Sequence, residues 1–387
     1  MGYRALAMGI SLVILIGLPL YADAKSGASC KKSVDLLYRE GLSYVVFIRP
    51  ENKLPDIGDI EPVSFFGGMW EKFWPWSDKV GKGTAWIMQD HDGTYYVVTH
   101  SHVVVEGEQG EPYYVWFHGA NGPVAVKKHG WDPLFDWAIL TFEDGAFVPP
   151  GTATLGDSST VDVESDETYY ALGNPLALKH YWSTGKVMKA ASYVARTKYS
   201  RIALDMTCNP GNSGSPLVNQ CGEVVGGVEA VSDPRRSTRS FCLASPISIF
   251  KKLFPRLKAG GEVRHGDLGM AVLNAADFTP GELKKLRLDK TKGDDEVVVV
   301  SILPDSPAEH AGIKHGDIIL AIYGPSSKEK LIVTNAGEFV EFLHLGFYPG
   351  DKVILELWRG EFRMTTTAEL GAMPQEDEVQ IIIVPPK

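Results

Sequence analysis

Asn209-Pro210-Gly211-Asn212-Ser213-Gly214-Ser215-Pro216-Leu217 is the stretch on which the reading of this chain turns. A nucleophilic serine has three needs: exposure on a tight turn, a base within hydrogen-bond reach, and donors aimed at the charge that develops on the attacked oxygen. Gly211 frees the backbone to turn so that its own N–H and that of Ser213 converge on one point. Gly214 permits close approach of a substrate from the other side. A glycine-rich turn holding an ordinary serine would read much the same, so the stretch needs partners elsewhere in the chain.

The base must be a histidine, and there are ten. Val97-Val98-Thr99-His100-Ser101-His102-Val103-Val104 sets two of them at the end of an apolar strand, where residues two apart face the same side. His-x-His also has the look of a metal pair. It lacks a credible third ligand and the His-Glu-x-x-His helix of zinc peptidases, so no metal is expected. The acid that orients the imidazole belongs where a buried carboxylate can hold its other N–H. Asp136-Trp137-Ala138-Ile139-Leu140 offers an aspartate at the opening of an apolar strand.

These segments, in the chain order His, Asp, Ser, resemble the HtrA (DegP/DegS) family of trypsin-like proteases. Gly81-Lys-Gly83-Thr-Ala-Trp-Ile87 resembles the family's early glycine strand. Thr99-His-Ser-His102-Val resembles its histidine motif and selects His102, and Gly173-Asn174-Pro175 resembles a characteristic loop. The resemblance implies a catalytic triad of His102, Asp136 and Ser213, with the N–H groups of Gly211 and Ser213 as oxyanion hole. It implies pocket walls from the residues just before the nucleophile and from Gly226-Gly227-Val228-Glu229, with Thr207 and Cys208 at the base. No acid falls at the base of that pocket, so a small or medium aliphatic P1 residue is expected. Cys208 and Cys242 would lie near its two sides and are the first disulfide candidates. Ala191 to Tyr199 is the candidate sensor loop.

The chain also departs from the family pattern. Ser215 replaces a second glycine and would narrow the floor beside the nucleophile, and His100 replaces an asparagine. Asn212 stands where zymogens of the chymotrypsin type carry an aspartate that pairs with a freed N-terminus. An amide cannot make that ion pair, so activation by loop ordering is expected instead.

Composition agrees with a secreted β-rich enzyme. The chain has 387 residues, 44% hydrophobic and 22% charged, with 40 glycines and 24 prolines spread along it. That length favours two domains and that composition a soluble globular protein. The formal net charge is −10 and no concentrated cationic footprint is visible, which argues against nucleic acid. Arg4, the apolar run Ala5 to Leu20 and Tyr21-Ala22-Asp23-Ala24 read as a signal peptide cut after Ala24, with membrane contact only if the segment stays uncleaved. Export makes Cys30, Cys208, Cys221 and Cys242 disulfide candidates, although a buried thiol also suits Cys221.

The expected fold class is mainly β: a chymotrypsin-like double β-barrel protease domain over 25–257, after a signal at 1–24. A linker follows at 258–262, then one PDZ domain at 263–370 and a tail at 371–387. Ser33 to Gly41 predicts a helix, and Tyr44 to Ile48 a buried strand. Asp92-Gly93 and Asn121-Gly122 mark hairpins between apolar runs. Six large aromatics between Pro50 and Val80 (Phe65, Phe66, Trp70, Phe73, Trp74, Trp76) are read as a subunit or regulatory contact. Further on, Val297 to Leu303 is a strand, Ser306-Pro307-Ala308-Glu309 opens a capped helix, and Gly312 closes it. Phe339, Val340, Phe342 and Leu343 give a second helix its apolar face. Asp267-Leu268-Gly269-Met270 resembles the PDZ carboxylate-binding loop, with Asp267 in place of an aromatic, so Leu268, Gly269 and Met270 are the expected peptide contacts.

The whole reads as an ATP-independent serine endopeptidase of the cell envelope, acting on unfolded or damaged polypeptides. Expected besides are a homotrimer, C-terminal peptides at the PDZ module and no cofactor. A regulatory protease with one signalling substrate, or a catalytically idle chaperone, would be told apart by its action on unfolded casein.

Overall fold

The computed structural model describes residues 30–50, 83–104, 112–174, 181–193, 199–209, 211–231, 241–285, 296–326 and 329–373. The expected signal segment, the aromatic stretch before Val80, the middle of the sensor-loop candidate and the tail beyond 373 lie outside these residues.

Helix α1 (Val34–Tyr44) begins where Ser33 accepts the Leu36 N–H, and it turns Leu37, Gly41 and Tyr44 inward. It runs straight into β1 (Val45–Arg49), every residue of which is buried. The first sheet adds β2 (Gly83–Gln89), β3 (Tyr95–Thr99), β4 (Tyr113–Trp116), β5 (Val124–Asp132) and β6 (Trp137–Phe142). Its order is β5-β4-β1-β2-β3-β6, and β5 also pairs with β6, so the sheet closes on itself as a barrel. The expected hairpin around Asp92-Gly93 forms, with Trp86 opposite Val98, and Gly93 takes the positive φ its turn requires. Trp86, Ile87, Val97, Phe135, Trp137, Ile139 and Leu140 fill the interior.

The second sheet comprises β7 (Thr154–Leu155), β8 (Tyr169–Gly173), β9 (Tyr181–Gly185), β10 (Val187–Tyr193), β11 (Ser200–Leu204), β12 (Pro216–Val218), β13 (Glu223–Val231) and β14 (Cys242–Pro246). It runs β10-β11-β14-β13-β12-β8-β9, with β7 beside β13, over a core of Val187, Ile202, Leu204, Leu217 and Val228. Cys208 and Cys242 form a disulfide in that core, with Cα atoms 5.6 Å apart, and none of the four cysteines is free. The buried-thiol alternative for Cys221 is thereby set aside.

Helix α2 (Ile247–Lys258) then packs Phe250, Leu253 and Leu257 onto the first barrel. The stretch expected to be a linker is held down: β15 (Gly261–Glu262) pairs in parallel with Gly130 and Trp131 of β5, and Lys258 bridges Asp90 and Asp92 of the β2–β3 hairpin. Gly130 is what lets α2 come so close, since a Cβ there would collide with the backbone carbonyl of Leu257. Gly130→Ala is therefore expected to cost about 1–3 kcal/mol by overpacking, read as a lowered denaturant midpoint.

The second module contains β16 (Gly266–Asp267), β17 (Met270–Asn274), α3 (Pro280–Lys285), β18 (Val297–Ile302), α4 (Pro307–His310), β19 (Ile318–Tyr323), β20 (Lys330–Ile332), α5 (Ala336–Gly346), β21 (Lys352–Arg359), β22 (Phe362–Glu369) and β23 (Gly371–Ala372). Its main sheet runs β17-β18-β19-β21-β22, so β17 is an edge strand, and it closes over Val297, Ile319, Phe339, Leu343, Leu355 and Leu357. Both expected helices form. Ser306 accepts the Glu309 N–H, but the Glu309 carboxylate reaches back to the Asp305 N–H instead of completing a capping box. Helix α5 faces the protease barrels: the Ser200 N–H donates to Glu341 (3.0 Å), and Arg256 donates to the carbonyls of His344 and Leu345. His265 links the two modules, its ring bonded to the His344 carbonyl (2.7 Å) on one side and to the buried Asp132 carboxylate (2.8 Å) on the other.

Candidate active site

Asp132 opens the turn that presents the acid of the site. Its carboxylate accepts the N–H groups of Leu134 and Phe135, and the chain then bends through Asp136 into β6. Asp136 has φ 56°, a left-handed conformation uncommon for a residue with a side chain. It is held there from the histidine segment: the Ser101 N–H donates to its carbonyl (3.1 Å) and the His102 N–H to its Oδ1 (2.9 Å). The other carboxylate oxygen lies 2.6 Å from His102 Nδ1. One aspartate thus fixes both the backbone and the ring of His102.

The two histidines do not share a strand face. β3 ends at Thr99 and residues Ser101–Val103 form a 3-10 turn, which leaves His102 about half exposed and buries His100 completely. His100 sits against Trp137 (5.2 Å between centroids), with its Nδ1 3.7 Å from Asp136 Oδ2. Burial pushes the His100 pKa down to about 3 against the pull of Asp136. For His102 burial also pulls down, but the hydrogen bond and charge of Asp136, with help from Glu229, win and raise it. Burial likewise works against ionised Asp136, yet its bonds to His102 hold that carboxyl below the ordinary range.

The serine turn lies between the barrels. Gly211 and Gly214 both have positive φ, at 98° and 85°, as the turn needs. A Cβ on Gly214 would strike the Thr84 carbonyl and Thr99 Oγ1. Thr84 Oγ1 donates to the Gly211 carbonyl (2.8 Å) and accepts the Asn174 N–H, so the Gly173-Asn174 segment braces the turn. Ser215 is fully buried and occupies space that Gly173 leaves open. Ser213 Oγ donates to the backbone carbonyl of Glu229 (2.9 Å).

Sequence reasoning missed what Glu229 does. The segment Gly226 to Glu229 was expected to wall the pocket, yet the Glu229 carboxylate is buried and occupied. Tyr199 Oη donates to it (2.5 Å), and Arg201 Nε donates to its other oxygen. The Arg201 guanidinium also stacks on the Tyr199 ring at 4.0 Å. Burial and the neighbouring Asp136 raise the Glu229 carboxyl pKa despite Arg201. No motif marks three residues so scattered; the only signal is an acid amid the apolar run of β13. Among the other expected pocket residues, Thr207 is exposed, Gly227 and Val228 are buried, and Cys208 is tied into the disulfide. In the second module Leu268 is buried, Gly269 takes φ 67°, and Met270 begins the edge strand β17.

Two closed or nearly closed barrels with an Asp–His pair beside a serine turn define a trypsin-like serine peptidase, and residues 83–226 match the trypsin-like peptidase domain family. The chain is 28% identical to a probable periplasmic serine endoprotease DegP-like of Pseudomonas putida, over 97% of its own length and 76% of the relative. It is 31% identical to the DegP-like protein of Pseudomonas savastanoi pv. phaseolicola, over 73% of this chain and 55% of that one. It thus spans between about half and three quarters of these curated relatives. Among solved structures, the HtrA-type protease AlgW with a tripeptide superposes with a TM-score of 0.65 over 90% of this chain and 99% of that one, at 22% identity. A serine endoprotease from Yersinia pestis gives 0.55 at 20% identity, over 89% and 99%. The chain thus carries a trypsin-like peptidase domain and is similar to proteins named as periplasmic DegP-like serine endoproteases, with the fold of HtrA-type proteases.

Proposed function

We propose that Ser213 is the nucleophile, His102 its base and Asp136 the residue that orients the base. The observation that carries this is the double tie of Asp136 to His102, through ring and backbone. Ser213 Oγ turns from the Glu229 carbonyl toward His102 Nε2 as substrate enters; such bonds tighten in the substrate complex. It attacks the scissile carbonyl while His102 takes its proton. The N–H groups of Gly211 and Ser213 receive the oxyanion, and His102 then protonates the leaving amine. Water hydrolyses the acyl-enzyme by the same route in reverse.

The substrates are unfolded or damaged polypeptides, cut after small or medium aliphatic residues without ATP. The enzyme works as a homotrimer. Its second module is a PDZ domain that takes C-terminal peptides along the free edge of β17, a strand-addition mode that edge strands favour. Supporting this, the Leu268-Gly269 turn leads directly into that edge. The Gly269 N–H, however, is already given to Asp267 Oδ2 (2.8 Å), so the chain's own carboxylate sits where a peptide's would bind. Asp267→Ala is expected to tighten binding of a hydrophobic C-terminal peptide about tenfold, as seen by fluorescence anisotropy.

Digestion of reduced, unfolded casein beside a tightly folded protein tests the substrate class. Peptides from casein alone support it. An intact casein, with a single envelope partner cleaved, would replace quality control with narrow regulation.

A further inference from the structure

We propose that His100, His102 and Asp136 form an inhibitory site for a divalent transition-metal ion, zinc in first place. The inference uses the His102–Asp136 pair described above, while its central test is binding and does not depend on turnover.

The metal reading of His-x-His fails at the sequence level for want of a third ligand. The fold provides one. One ligand atom each from His100, His102 and Asp136 lie within 4.8 Å of one another. Asp136 Oδ2 is 2.6 Å from His102 Nδ1 and 3.7 Å from His100 Nδ1. A tetrahedral zinc ion with bonds of about 2.0–2.2 Å keeps its ligand atoms about 3.3–3.5 Å apart. Both separations from Asp136 therefore need to change by less than about an ångström. Two imidazoles and one carboxylate are the donor set of zinc sites that keep a fourth position open.

A second observation points the same way. His100 is fully buried, and neither of its ring nitrogens has a hydrogen-bond partner among the described residues. Buried polar atoms are rarely left so, and each unpaired one in a native fold asks for a ligand or a function. The trypsin-like site as derived gives His100 no task. Its Nε2 side is closed by Gly227, where an added Cβ would come within 2.8 Å, so Nδ1 is the atom left facing Asp136. Local charge favours a cation: the carboxylates of Asp136 and Glu229 face one guanidinium, that of Arg201. Access runs past His102, the half-exposed member, whose ring swings outward to admit the ion.

Metal held this way takes the Nδ1 lone pair of His102 and the Asp136 oxygen that orients it. Binding displaces the Nδ1 proton, and the neutral ring then carries its single proton on Nε2 by exchange with water, so that nitrogen has no lone pair left to take the Ser213 proton. Zinc inhibition is accordingly reversible by a chelator and competes with acylation of Ser213.

Titration calorimetry of zinc chloride into the full-length Ser213→Ala protein tests this directly, since that variant keeps all three ligands and cannot digest itself. One ion per chain at micromolar or lower Kd is expected, with His100→Asn in the same background weakening it at least 30-fold and magnesium giving no heat. Unchanged zinc affinity in the His100→Asn variant, or no binding by the parent, overturns the site. Should the variant unfold, the native protein serves: saturating zinc must slow fluorophosphonate labelling of Ser213 at least tenfold, and labelling unaffected by bound zinc overturns the proposal. Zinc binding lost with His100 in a protein that never digests casein would instead leave the metal site standing and remove the protease reading.

Discussion

Ser213→Ala lowers casein turnover by about six orders of magnitude, the scale on which loss of an activated nucleophile acts. The fold should hardly notice. Ser213 Oγ makes one hydrogen bond, to the Glu229 carbonyl, worth about 1 kcal/mol net. The backbone turn is set by Gly211 and Gly214 and braced by Thr84, none of which needs the hydroxyl. His102→Ala is expected to fall as far, and the double variant no further, because nucleophile and base act as a unit. Steady-state rates beside a thermal melt check both halves. A fold-neutral variant with turnover within tenfold of the wild type would remove Ser213 from the chemistry.

Arg201→Met is expected to cost about 3–5 kcal/mol of stability, because it strands the buried Glu229 carboxylate without its counter-charge. Denaturant unfolding measures this. Glu229→Gln removes the charge itself and reaches the base through space. His102 is active when neutral, and its pKa is raised above the ordinary 6.5, in part by Glu229. Activity is therefore lost as pH falls through that raised value, so the acid limb of kcat/KM lies above 6.5 in the wild type. Glu229→Gln moves the limb to lower pH. Stability has the opposite sense: a histidine raised by its partner stabilises fully below its unfolded pKa, and the contribution fades as pH rises through the folded one.

Much of this site is written in local sequence. The serine turn is legible because glycine at 211 and 214 answers a backbone demand that no other residue meets cheaply. Asp136 is legible only beside the histidine and serine segments, since an acid at the mouth of an apolar strand is otherwise an ordinary cap, and it meets His102 in the fold. The strands, the hairpins and the Ser306 cap followed from alternation and turn chemistry, whereas the Glu309 carboxylate went to the Asp305 N–H. The Cys208–Cys242 pair followed only from family likeness, and it forms. What could not be read is what the fold brings together from afar. Tyr199, Arg201 and Glu229 meet because β11 and β13 both pair with β14. His265 meets Asp132 across 133 residues. The separation of His100 from His102 in depth depends on a single 3-10 turn that strand alternation does not foresee. These are contacts of tertiary origin, and no local pattern encodes them.

The most direct test of the assignment is covalent. A fluorophosphonate reacts with a serine only where a base activates it and amides receive the oxyanion, so peptide mapping of the labelled protein reports the whole constellation at once. The expected result is a single adduct on Ser213, absent from His102→Ala. An adduct on another residue, or equal labelling of Ser213 without His102, would contradict the account.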